Sequence, residues 1–432
     1  MSAAASDGLR LAALPRGLPR LLAGYGRDGR PVDLDSHLDR YGPQPRPGPG
    51  LIAVLEQSGL QGRGGGSFPT AQKMGAVASR PGRPVVVVNA VEGEPASGKD
   101  RALLRYVPHL VLDGAVLAAE AVGAREAIVA LGGAPEIEIA ALTSAIAARA
   151  RRRLDRSVHV RAVSAPNAFV AGEETALVRF IDGGPAKPTF TPPRPFERGV
   201  GGAPTLVQNA ETLAHVALIA RFGPGWFREL GTVDEPGTAL VTLSGAVSHS
   251  GIYEIELGTT LEQLVGQAGG AAEPLRAFVV GGYFGGWLDA SAALPLPLLD
   301  AALAPHGAAL GARAVIALPV DACGIVETAR VARYLADESA GQCGPCVYGL
   351  DAIADALGRL ARRERDGRRI AALGRWIEEV RGRGACRHPD GAARFVASAL
   401  DVFADEVDLH LRGRCSGSNR MVLPLPAKEP TR

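Results

Sequence analysis

The chain has 432 residues, 47% of them apolar and 21% charged, and a formal net charge of +2. That balance is ordinary for a globular protein of two to four domains and lacks the basic excess of a nucleic-acid-binding surface. No apolar run reaches the roughly 18 residues of a membrane span, and Asp7, Arg10 and Pro15 break up the stretch an export leader would need, so a cytoplasmic protein without membrane insertion is expected.

Residues 1–50, rich in Pro, Gly and Arg, read as an irregular arm, and 51–60 as a short helix. Then comes Gly62-Arg63-Gly64-Gly65-Gly66-Ser67-Phe68-Pro69-Thr70, with Lys73 close behind. Backbone without Cβ atoms turns tightly and lies flat against a ligand, and successive peptide N–H groups make an anion site to which Lys73 adds a point charge. The chain has only four lysines (Lys73, Lys99, Lys187 and Lys428), so finding one here and one in the next motif is notable. The competing reading is a flexible surface loop.

From 84 to 163 strand and helix alternate: strands at 84–89, 126–131 and 158–163, helices at 102–122 and 135–154. Such alternation predicts a parallel sheet covered by helices, with ligands at the carboxyl ends of its strands. Asn89-Ala90-Val91-Glu92-Gly93-Glu94-Pro95 falls at such an end. Residues 168–177 then place Gly172, Glu173 and Glu174 at a helix start, either as dipole partners or as groups aimed at a ligand. A Pro/Gly-rich loop, 185–204, leads to Thr205–Asn209, carrying Gln208 and Asn209 before an amphipathic helix.

A boundary is expected near Pro236. Strands at 239–246, 251–257 and 276–283 around a helix at 259–268 suggest a small α+β, β-grasp-like module with no chemistry of its own. From Gly324 the pattern is helical (325–335, 348–365, 369–381 and 391–411), which predicts a bundle. All five cysteines, Cys323, Cys343, Cys346, Cys386 and Cys415, fall in the last quarter. Their odd number and clustering argue against a disulfide framework and for a metal or iron–sulfur site. Cys343 and Cys346, spaced C-x2-C around a proline, and the distant Cys386 have the pattern of ligands.

Gly62 to Lys73, Asn89 to Arg101, Gly172 to Leu177, Pro204 to Leu213 and Glu338 to Cys346, in this order, resemble the FMN-bearing, NADH-oxidising subunit of bacterial respiratory complex I and of related NAD-linked hydrogenases and formate dehydrogenases. The resemblance spans about residues 50–415. It implies a Rossmann-like α/β FMN domain (51–235), a β-grasp module of the soluble-ligand-binding type (236–322) and an all-α iron–sulfur bundle (323–432). By position, Gly62, Arg63, Gly64, Gly65, Lys73, Asn89, Glu92, Gly172, Glu173, Gln208 and Asn209 would surround FMN. Phe68, Glu94 and Glu174 would face the nicotinamide nucleotide, the two glutamates as catalytic groups, and Cys343, Cys346 and Cys386 would bind iron. NADH would reduce FMN, and electrons would leave through the cluster to a protein partner: a thioredoxin-like 2Fe-2S subunit, a ferredoxin, or membrane quinone-reducing subunits.

The chain also departs from the family pattern. Ala340 stands where the first cluster cysteine belongs, which leaves a 3Fe-4S cluster, or a 4Fe-4S cluster with a non-thiolate ligand near Ser339, Gln342 or His388. Cys323 and Cys415 read as structural thiols. Val91 replaces an Asp, Ala76 and Arg194 replace the aromatics that would sandwich adenine, and Thr191 replaces a Lys. Base stacking on an aromatic is worth about 1–3 kcal/mol. Three readings of the donor therefore stay open: NADH, NADPH paired with Arg194, or a ferredoxin-type partner with no competent dinucleotide site.

Overall fold

Four parallel strands, β1 (Val85–Ala90), β2 (Glu126–Gly132), β3 (His159–Ala165) and β4 (Thr205–Asn209), lie in the order β3-β2-β1-β4. The computed structural model describes residues 17–25, 30–364, 367–418 and 420–426, Arg369 by its backbone alone. Residues 1–16, which carry most of the export-leader reading, lie outside these, as do Lys428 and the expected helix end at 365.

Along β1 the run of valines is buried on both faces, the signature of a central parallel strand. Val86 and Val88 pack with Ala127 and Val129 against a helical layer, while Val85 and Val87 join Ile128, Ala130 and Val207 on the opposite face. The chain supplies that layer with α1 (Leu34–Tyr41), α2 (Gly50–Ser58), α3 (Thr70–Ala78), α4 (Lys99–Tyr106), α5 (Pro108–Val122), α6 (Glu136–Arg151) and α8 (Ala210–Arg228). Helix α7 (Glu174–Ile181) contributes Leu177 and Val178 to the other face. No single described helix is long and apolar enough to cross a membrane; α4 and α5 reach that length only together, across a 100° bend.

The second sheet is mixed, in the order β6-β5-β9-β7-β8, from β5 (Thr238–Gly245), β6 (Gly251–Glu256), β7 (Leu275–Val280), β8 (Gly286–Asp289) and β9 (Ala314–Pro319). Val241, Leu243, Phe278 and Val280 line one face with α9 (Leu261–Gln267), whose start is held by a Thr260–Gln263 capping box. Short helices α10 (Ala290–Ala293) and α11 (Asp300–Leu303) fill the return to β9. Val279, Ile316 and Leu318 on the other face pack on the helical region: α12 (Gly324–Asp337), α13 (Asp351–Ala361), α14 (Gly367–Val380), α15 (His388–Val402) and α16 (Ala404–Leu411).

Several expectations need correction, among them the single helices expected at 102–122 and 391–411, each of which is two: α4 and α5 meet at a 100° bend, and α15 ends before α16 begins. The stretch 1–50 is not all irregular: α1 lies in it, and Leu21 and Leu22 are fully buried against the first core. Their spacing is too short to register as a period. Strands β8 and β9 are not legible in the sequence, because β8 has only four residues and β9 is buried at every position, so neither alternates. Helix α3 went unnoticed because it follows the glycine loop directly.

Candidate cofactor site

The glycine loop closes as a small hairpin: the Gly62 amide donates to Phe68 O at 2.9 Å and the Thr70 amide to Leu60 O at 2.9 Å. Arg63 turns inward, its amide donating to Thr212 Oγ1 and its guanidinium to Pro236 O, so it braces the loop from behind. Burial pulls that guanidinium down to about 9. Gly65, at φ +100°, takes a conformation side chains rarely adopt. The backbone of Gly64, Gly65 and Gly66 is thereby left as one wall of a cavity of about 530 Å³.

Opposite, the strand-end motif folds onto itself. Asn89 accepts from the Val91 amide and donates to Gly172 O at 2.8 Å. Gly172 has no room for a side chain, since a Cβ there would lie 2.4 Å from Val91 O. Glu92 accepts from the amides of Asp100 (3.0 Å) and Arg101 (2.9 Å) and from Ser97, capping α4. Asn209 caps α8 and donates to Asp100 at 2.6 Å. Beneath them Lys99, 2% exposed, lies 3.0 Å from Asp100 and 2.9 Å from Glu211. Burial works against its charge, but the two carboxylates prevail and hold it above the usual lysine range. Glu173 caps α7 through the Thr175 and Ala176 amides.

Almost every carboxylate on the wall is thus engaged by a cation or a helix terminus. Glu94 differs. Among the described residues its carboxylate accepts from the amides of Ala96 (3.2 Å) and Tyr283 (2.6 Å) alone, and burial, partly offset by these donors, pushes it up to about 7. Near neutrality it therefore exchanges a proton readily.

The far wall comes from the second sheet and the bundle: Gly281, Phe284, Ala309, Gly311 and Ala312, then Cys386, Arg387, His388 and Arg394. Cys386 thus touches the cavity that Gly64 lines. Burial and the neighbouring Cys343 and Cys386 groups push the Cys346 thiol up to about 12, while a hydrogen bond from Ser339 opposes the rise. Cys346 sits in a π-helical turn, Pro345–Leu350, at the head of α13.

Three family models match the chain: the Nuo51 FMN-binding domain over residues 55–218, the SLBB domain over 240–282, and the NADH-ubiquinone oxidoreductase-F iron-sulfur binding region over 327–410. Among curated relatives, the second of the F subunits of NADH-quinone oxidoreductase in Rhizobium meliloti is 31% identical over 420 residues, covering 94% of this chain and 97% of its own. The chain belongs to the family of NADH-quinone oxidoreductase F subunits. The F subunit of Streptomyces coelicolor is 32% identical, covering 84% of this chain and 83% of its own. The crystal structure of an NAD+-reducing [NiFe]-hydrogenase in the H2-reduced state superposes with a TM-score of 0.80 at 31% identity, covering 84% of this chain and 63% of the hydrogenase chain. This F-type chain is thus an oxidoreductase subunit that transfers electrons through FMN and an iron–sulfur cluster.

Of the residues singled out from sequence in this F-type chain, Arg63, Gly64, Gly65, Asn89, Glu92, Glu94, Gly172, Glu173, Asn209 and Cys386 line the cavity. The rest lie around it. Gly62 closes the hairpin, and buried Gln208 donates to Thr70 Oγ1 at 3.2 Å behind the loop. Lys73 and Glu174 pair at 3.0 Å, joining α3 to α7. Phe68 is 55% exposed. The expectation that the β-grasp module carries no chemistry is overturned: Gly281 and Gly311 bound the cavity and the Tyr283 amide holds Glu94. The glycine-dense run Gly281–Gly286 was the available signal. Lys99 and Asp100, at the start of α4, also line the cavity and form its buried ionic floor.

The lining fits FMN: a cavity of mononucleotide size, a backbone wall of glycines, and carboxylates that, Glu94 apart, are already engaged by a cation or a helix terminus. Cys343, Cys346 and Cys386 fall within the residues of the iron-sulfur binding region, 327–410, and offer three thiols of the type such a cluster takes. In place of a fourth, Ala340 is buried and its carbonyl accepts from Lys187 at 3.0 Å. Gln342 spends its amide on Pro188 O. His388 donates Nε2–H to Leu335 O at 2.7 Å, and its buried Nδ1 has no partner among the described residues.

Proposed function

We propose that this chain oxidises NADH as the electron-input subunit of a multisubunit oxidoreductase, in three consecutive parts: an FMN and nucleotide domain at 51–235, a β-grasp module at 236–322 and an iron–sulfur bundle at 323–432. One observation carries this reading: a single cavity has the glycine loop on one side and Cys386 on the other.

Bound FMN would supply two-electron oxidation of the nucleotide followed by single-electron release. The residues do the rest. Gly64, Gly65, Asn89 and Asn209 bind and orient it on the wall. Gly62, Arg63, Lys73, Gln208, Glu92, Gly172 and Glu173 hold that wall in shape through the hydrogen bonds described above. Glu94 holds or releases a proton at its carboxyl oxygen beside the nicotinamide site. Glu174, tied to Lys73, and exposed Phe68 would face the bound nucleotide. Cys343, Cys346 and Cys386 would hold iron, and Ser339 or the free Nδ1 of His388 would complete or leave open the corner at Ala340. Electrons would then pass to a partner such as a thioredoxin-like 2Fe-2S subunit.

Anaerobic titration with NADH, with NADPH and with reduced ferredoxin, followed by flavin absorbance, tests the reading. Bleaching by NADH is expected. Bleaching by reduced ferredoxin alone would overturn it in favour of an electron-transfer subunit without a dinucleotide site.

A further inference from the structure

Two of the five cysteines take no part in the cavity or the cluster loop. Cys323 precedes α12, and Cys415 follows α16. Together with Glu406 and His410, both on α16, they each direct one ligand atom to a common point, all four within 4.8 Å of one another. Cys323, Glu406 and His410 are fully buried.

The hydrogen bonds around this point decide what it can hold. His410 Nδ1 lies 2.8 Å from Leu360 O, and a carbonyl can only accept, so Nδ1 carries the proton. That leaves Nε2 with its lone pair toward Cys323 Sγ at 3.4 Å and Glu406 Oε1 at 3.3 Å. Without a metal, a proton on the Cys323 thiol or on Nε2 satisfies this contact; a divalent ion would displace such protons and be held by all four groups at once. The Leu360 carbonyl plays the part such carbonyls play behind metal-bound imidazoles, where they fix tautomer and ring orientation. Glu406 is oriented in the same way, by the Ser416 amide at 2.9 Å and Arg276 Nη1 at 3.2 Å.

We propose that Cys323, Glu406, His410 and Cys415 form a structural zinc site. Two sulfurs, one imidazole nitrogen and one carboxylate oxygen suit a tetrahedral d10 divalent ion. Two thiolates and a carboxylate around Zn²⁺ leave one negative charge, which Arg276 offsets. Zn²⁺ has no redox chemistry, so electron transfer is not its role. Instead it closes a seam. Ser418 N donates to Asp321 O at 2.6 Å, and a Cβ on Gly417 would lie 2.7 Å from Cys323 N. The ion would therefore clamp α16 and the C-terminal segment to the junction of β9 and α12.

Zinc and iron are measured per chain on full-length protein purified anaerobically from zinc-supplemented medium. About one zinc per chain is expected, lost in His410→Ala and Cys415→Ala with iron unchanged, whereas Cys386→Ala loses iron and keeps zinc. Cobalt exchanged into the wild type gives the visible d–d bands of a tetrahedral thiolate site, a readout that survives if a variant fails to fold. Zinc absent both as isolated and after addition to the reduced protein would overturn the proposal. So would equal zinc in Cys415→Ala and wild type, or cobalt giving no tetrahedral spectrum. None of these readouts depends on which nucleotide reduces the flavin.

Discussion

At the residue scale the decisive feature is Glu94, a carboxyl in the cavity wall with two amide donors and no cation. Its folded-state value, about 7, lies above the 4.5 of a free glutamate because of burial. A raised carboxyl adds stability that is complete below its unfolded value and disappears as pH rises through the folded one. The wild type should therefore lose stability between about pH 5 and pH 7, while Glu94→Gln, which keeps the shape and cannot ionise, should lack that component. Urea midpoints measured across this window check it, and parallel curves for the two proteins would reject it.

At the scale of elements, the start of α4 joins the sheet to the site. Glu92 caps this helix from the strand-end motif, and Lys99, its first residue, is sandwiched by Asp100 and by Glu211 of α8. Removing one member of a buried ionic group leaves the others uncompensated, at a cost of about 3–5 kcal/mol. Lys99→Met should destabilise the protein by that much and lower its flavin content together. A loss under about 1 kcal/mol in chemical denaturation would mean that water or a neighbour already serves the carboxylates.

Over the whole molecule, the cavity exists because the second sheet and the bundle close against the first sheet's strand ends. Ser67 of the glycine loop donates to Asp300 at 2.5 Å, and the Tyr283 amide to Glu94. Gly311, outside every motif, sits at φ +46°, and a Cβ there would be 2.5 Å from Gly281 O. Gly311→Val should therefore reduce bound flavin per chain while iron per chain stays unchanged, as read by absorbance and metal analysis. Unchanged flavin would show that the second sheet contributes nothing to the binding wall.

Local pattern was enough for the alternating strands 84–163, the capped starts of α7 and α8 and the helical last quarter, because each depends on neighbours close in the chain. The amino-acid order alone also settled the family, through motifs whose sequence along the chain is independent of how they pack. Tertiary structure decided the rest: that Arg63 braces the loop from behind, that Lys99 is buried, that Gly281 and Gly311 bound the cavity, and that Cys323 meets Cys415 across 92 positions. These follow from distant segments converging, and burial or charge pairing between such segments leaves no periodicity in either one.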